Sequence, residues 1–194
     1  MLARTLPTIV LLLVAATAGC LTPSDTTTDA PTTATPIGTI GNCPDGIERL
    51  DATVTNGSVP ARDAGFAIEG NRTTLQRGDT LQVTLRNVAD NPRGTGTGRM
   101  IVLQRNVDDE WTTVLGAREG RTGWNATLVM HEPGEGYTWN VTLDDDGLTE
   151  WGYELCSSLP PGDYRIVYHG LVKPGGFDDR IPDPAVAVEF RIVA

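Results

Sequence analysis

Few side chains in this 194-residue chain are suited to chemistry: His131, His169 and the cysteines Cys20, Cys43 and Cys156. In the order His131, Cys156, His169 they match the two imidazoles and one thiolate of a trigonal copper centre, which usually adds a weak axial methionine. The spacing argues against that use. No methionine follows Met130, and Cys156 stands 13 residues (169 − 156) before His169, too far for one short ligand loop. Hydrolysis has no better footing, because neither a G-x-S-x-G turn nor an H-E-x-x-H helix occurs. The acidic stretches "DDDG" (144–147) and "FDDR" (177–180) lack the spaced ligands and distal glutamate of a calcium loop and read as solvated turns. His131 reads as a loop residue and His169 as a solvent-facing strand residue. No catalytic residue, metal or cofactor is expected.

Cys20 ends a short apolar run. Ile9 to Ala16 is unbroken, with Arg4 before it and small residues after it. The run falls short of the roughly 20 residues that span a bilayer and suits the centre of a signal peptide over 1–19. "TAGC" resembles the lipobox of prokaryotic lipoproteins, with Thr17 where leucine is usual. The resemblance implies a diacylglyceryl group on the Cys20 sulfur and a chain anchored to membrane lipid on the extracellular face of the cell. The lack of a twin arginine favours the general secretory route.

Net charge is −10, and one less after removal of Arg4, so nucleic acid is excluded as a partner: no basic patch with interleaved aromatics is present. Of fifteen basic residues only Lys173 is a lysine. High acidity with few lysines resembles exported proteins of halophilic archaea, whose carboxylate surfaces stay hydrated where salt screens their repulsion.

With Cys20 acylated, Cys43 and Cys156 remain, and two cysteines outside the cell are expected to pair. Residues 20–42 hold the lipidated cysteine and a Thr/Pro/Asp-rich linker too poor in apolar side chains to fold. As a coil of about 20 residues it reaches roughly 25 Å. From Cys43 the pattern turns to strands. "TLQVTLRN" alternates Leu81, Val83 and Leu85 against Gln82, Thr84 and Arg86; "YTWNVTL", "YRIVYHG" and "VAVEFRIV" alternate likewise. "MIVLQRNVDDEWTTVL" reads as a hairpin turning at 106–109. Turn residues separate the strands and no helical period intervenes, so the expected fold is all-β and antiparallel.

"LPPGDYRIVY" places Tyr164 at the start of a strand after a Pro-Gly turn, and resembles the tyrosine corner of Greek-key sandwiches. "RGDTLQVTLRN" resembles strand B of that fold and "VAVEFRIVA" strand G. Together they resemble the Ig-like (fibronectin-like) domains of bacterial and archaeal surface lipoproteins. The resemblance implies an Ig-like sandwich over 43–194 and, at Tyr164, a hydroxyl turned back onto upstream backbone. It leaves 43–76 without a place and puts no cysteine on strand B.

Four Asn-x-Ser/Thr sequons, at Asn56, Asn71, Asn125 and Asn140, are candidate N-glycan acceptors, of which Asn125 and Asn140 must face outward from strands. Trp139 shares a core-facing side with Tyr137 and Val141. The function expected is a noncatalytic, monomeric, lipid-anchored surface module that binds or presents an unidentified protein or glycan. The alternatives are a protease-inhibitor-like Ig-fold protein and a copper electron carrier.

Overall fold

A computed structural model describes residues 40–50, 57–118, 120, 127–144, 152–173 and 183–194. The apolar leader, Cys20, the linker, Asn56, Asn125, Trp124, Trp151, most of "DDDG" and all of "FDDR" lie outside them. Among the described residues the structure is all-β. In chain order the strands are β1 (Ile47–Arg49), β2 (Arg62–Asp63), β3 (Phe66–Gly70), β4 (Thr74–Gln76), β5 (Thr80–Asn87), β6 (Arg93–Thr95), β7 (Ile101–Val107), β8 (Glu110–Thr113), β9 (Leu115–Arg118), β10 (Val129–His131), β11 (Gly136–Thr142), β12 (Glu154–Leu155), β13 (Gly162–Tyr168) and β14 (Val186–Val193).

Two sheets make the sandwich. One runs β11-β5-β3-β2 and the other β4-β14-β13-β7-β8. The strand-B segment is β5, held between β3 and β11, and the strand-F and strand-G segments, β13 and β14, are neighbours. This is the division of strands expected of an Ig-like domain. The stretch left without a place supplies β3, antiparallel to β5, and β4, parallel to β14. Alternation decides which side chains meet. Leu81, Val83 and Leu85 of β5 face Ile166, Tyr168 and Phe190 across one core, each at most 4 % exposed, and each such burial contributes about 1.5–3 kcal/mol.

The five-stranded sheet is buried on both faces at its β7–β13 centre. Val102, Gln104, Arg165 and Val167 point away from that core, yet none exceeds 2 % exposure. A third layer accounts for this. After β8 the chain crosses into β9, which β1 and β12 flank, and Leu50, Val114, Leu115, Ala117 and Tyr153 join the same hydrophobic cluster as Val102 and Val167. Cys43, ahead of β1, is disulfide-bonded to Cys156, just after β12, so the bridge closes this extra layer. Within it Arg165 donates to Gln104 Oε1 at 2.7 Å and to the Gly57 carbonyl at 2.9 Å, and its guanidinium lies 4.4 Å over the Trp111 ring.

The β7–β8 hairpin turns at Asp108 and Asp109, with φ of 52° and 66°. Two left-handed central residues make the tight type I′ turn that matches strand twist. Asn106, expected in the turn, instead pairs with Trp111 in the ladder.

Candidate functional site

One end of the sandwich gathers most of the unusual side chains. The segment between β5 and β7 carries "GTGTGR", and a loop this rich in glycine offers carbonyls rather than side chains. Aromatic donors rising from the strands below hold those carbonyls. Tyr137 and Tyr168 both donate to the Gly96 carbonyl, at 2.8 and 3.0 Å, and Trp139 Nε1 donates to that of Gly98 at 2.8 Å. Tyr153 donates to the Arg99 carbonyl. Burial pushes the Tyr153 phenol up to about 12, against the opposing pull of Arg99, and raises that of Tyr168 further. Both therefore stay protonated donors at any physiological pH. A loop whose three carbonyls take four aromatic donors is preorganised.

His131 belongs to this cluster and is not the loop residue expected. It ends β10 at 5 % exposure, its Nε2 is 2.8 Å from Thr95 Oγ1, and its ring packs edge-on against Phe66 and Tyr137. Burial lowers its pKa, with Glu135 acting the other way. His169 follows β13 rather than lying in it and is half-buried, and burial lowers its pKa to about 4. The structure thus places His131 in a strand rather than a loop and takes His169 out of the solvent-facing strand position expected, and the short sheet of β6 and β10 forms a cover that holds His131 at this end. Cys156 has its sulfur bonded to Cys43, so the His–Cys–His set has no thiolate to offer copper. Among the described residues no three His, Cys, Asp or Glu side chains are placed to hold a metal ion.

The outer side of that cover is apolar. Met130 pairs across from Gly94, and Val172 donates its N–H to the Gly94 carbonyl. A Cβ at position 94 would lie 2.7 Å from Leu128 Cδ1 and 3.5 Å from Val172 Cγ2, so glycine here lets three apolar side chains converge. Leu128 is 62 % exposed and Met130 56 %, and Val172 is also open to solvent. Sequence reading missed this patch, since its side chains come from two separate segments and meet over a glycine of a third.

A family model described as "Bacterial Ig-like domain" matches residues 62–173, more than half of the chain. The chain belongs to the bacterial Ig-like domain family. In this Ig-like domain the apolar patch sits where the segments following strands B and F meet. No curated protein matches the chain. Among solved structures, it is similar to a β-glucosidase of Erythrobacter marinus, at 18 % identity over 66 % of this chain and 15 % of that one, with a TM-score of 0.31. It is also similar to a β-glucosidase of Listeria innocua in complex with isofagomine, at 15 % identity over 66 % of this chain and 16 % of that one, with a TM-score of 0.31. The chain therefore spans about a sixth of the length of either enzyme. Among the described residues no helix is long and apolar enough to cross a membrane.

At the opposite end, Tyr164 is fully buried and its hydroxyl donates to the Pro160 carbonyl at 2.6 Å. The side chains of Asn71 and Asn140 are exposed on the outer face of the β11-β5-β3-β2 sheet.

Proposed function

We propose that this protein is a noncatalytic module, tethered to the outer face of the cell membrane by a lipid on Cys20, whose Ig-like domain binds a protein partner through the Leu128–Met130–Val172 patch. The observation that carries the reading is that patch: three exposed apolar side chains converging over Gly94, beside a loop held rigid by buried aromatics. Large apolar side chains grouped on a surface mark contact sites. A protein fits better than a sugar, because the patch presents aliphatic and thioether groups and the nearby Trp139 is buried. Membership of the Ig-like family supports a noncatalytic role. The apolar run ending in "TAGC" and a disulfide that requires an oxidising compartment support the export and anchoring.

Two measurements test the reading. Cys20→Ser is expected to release the chain from membrane fractions; normal processing with unchanged retention overturns the anchor. A photo-crosslinking residue at position 128 of the full chain, on intact cells, is expected to give a discrete protein adduct that Met130→Asp abolishes. No adduct, or one indifferent to Met130→Asp, overturns the binding role.

A further inference from the structure

Two of the four sequons lie among the described residues, and the fold brings them to one spot. Asn71 follows β3 and Asn140 stands in β11, 69 positions away (140 − 71). Both carboxamides nevertheless accept a hydrogen bond from Gln82 of β5: its backbone N–H donates to Asn71 Oδ1 at 3.0 Å, and its Nε2 donates to Asn140 Oδ1 at 3.2 Å. The Asn71 N–H donates in return to the Gln82 carbonyl, extending the β3–β5 ladder by one residue. A backbone N–H can be met only by oxygen, which settles the orientation of the Asn71 amide. In both asparagines the oxygen is thus engaged. The nitrogen, the atom that takes a sugar, has no partner among the described residues, and both side chains are exposed.

The surroundings suit a saccharide. A groove of about 190 Å³ runs beside Asn71, with Ala67 and Val88 in its lining and Glu69, Gln82, Thr84 and Arg86 supplying polar ends that can meet sugar hydroxyls. β11 pairs with β5 on one side, and among the described residues no strand pairs with its other edge. That strand, "GYTWNVT", contains neither the lysine nor the proline that usually guards a bare edge.

We propose that Asn71 and Asn140 carry N-linked glycans, and that the outer face of the β11-β5-β3-β2 sheet is the glycan-covered face of the domain. The proposal rests on the export reading above. The donor is a saccharide linked to a lipid phosphate. A bond forms between Asn Nδ2 and the sugar C1, the bond from C1 to the phosphate oxygen breaks, the lipid phosphate leaves, and the amide nitrogen gives up one proton. Thr73 and Thr142 complete the two sequons. The glycan on Asn140, midway along β11, blocks strand addition at the open edge and leaves the apolar patch as the free contact surface.

The test is peptide mapping by mass spectrometry of the full chain, isolated from the membranes of the cells that make it and digested without reduction. Both asparagine peptides are expected to carry a saccharide mass. Thr73→Ala removes the first and Thr142→Ala the second, while the Cys43–Cys156 link reports that each variant has folded. Thr142→Ala is also expected to shift toward dimers on size exclusion; an unchanged monomer overturns the shielding role. An exported, disulfide-linked chain with either asparagine unmodified overturns the proposal and leaves the export reading standing. A chain retained in the cytosol with free thiols overturns both.

Discussion

The Tyr164 hydroxyl reaches back four residues to the Pro160 carbonyl, 2.6 Å away, and so fastens the start of β13 to the turn that feeds it. The ring is fully buried and stacks on Phe190 with centroids 5.9 Å apart. Burial raises the phenol pKa to about 12, with Arg105 nearby acting against the rise. Tyr164→Phe keeps the ring and deletes one hydrogen bond, at an expected cost of about 1 kcal/mol. Tyr164→Ala also empties the core and costs about 3–5 kcal/mol. Denaturant melts check both, and wild-type stability in the pair would remove the corner from the account of this fold.

The Cys43–Cys156 bridge closes a 113-residue separation around the third layer. Its loss is expected to cost about 2–5 kcal/mol. That loss should be local at first. The Leu50 and Cys156 amides, which donate to the Leu115 and Val114 carbonyls, should lose hydrogen-exchange protection on reduction before those of β13 and β14. Gly116→Ala strikes the same layer, because its Cβ would lie 2.5 Å from Ile47 Cγ2 and 2.9 Å from the Glu48 carbonyl. Combined with Cys43→Ser, it should cost less than the sum of the two. Uniform loss of protection would mean that the layer is not a separate unit.

Acid should destabilise the fold through its histidines. Burial lowers the pKa of His131 and brings that of His169 to about 4, against about 6.5 in an unfolded chain. A folded-state value below the unfolded one favours the neutral ring. The stabilisation is therefore complete above about pH 6.5 and is lost progressively as pH falls toward 4. His169→Gln should flatten the melting temperature between pH 6.5 and 5, a window above most carboxylate titration. An unchanged slope would place the acid sensitivity elsewhere.

The type I′ turn at Asp108 and Asp109 requires left-handed backbone at both positions. Asp109→Gly removes the Cβ penalty at φ 66° and is expected to stabilise by up to about 1 kcal/mol. Asp109→Val, β-branched, should cost about 1–2 kcal/mol. Thermal melts of the two variants should therefore move in opposite directions.

Patterns of period two are local, and the sequence determined them by itself. Strands β5, β11, β13 and β14 and the inward set Leu81, Val83, Leu85, Tyr164 and Ile166 follow from alternation, and Tyr164 from the turn before it. The cysteine count was equally readable, because it needs no geometry. Only the tertiary structure decided that Val102 and Val167, outward by alternation, lie under a third layer: a period of two says which residues share a face, not what covers it. The same holds for the ends of the sandwich. His131 read as a loop residue, but it ends a strand and is buried against β6, from a segment 36 residues earlier. The Leu128–Met130–Val172 patch and the meeting of Asn71 and Asn140 at Gln82 join residues far apart in the chain. Such neighbours are set by strand order and register, which chain-long packing selects and no short stretch of sequence encodes.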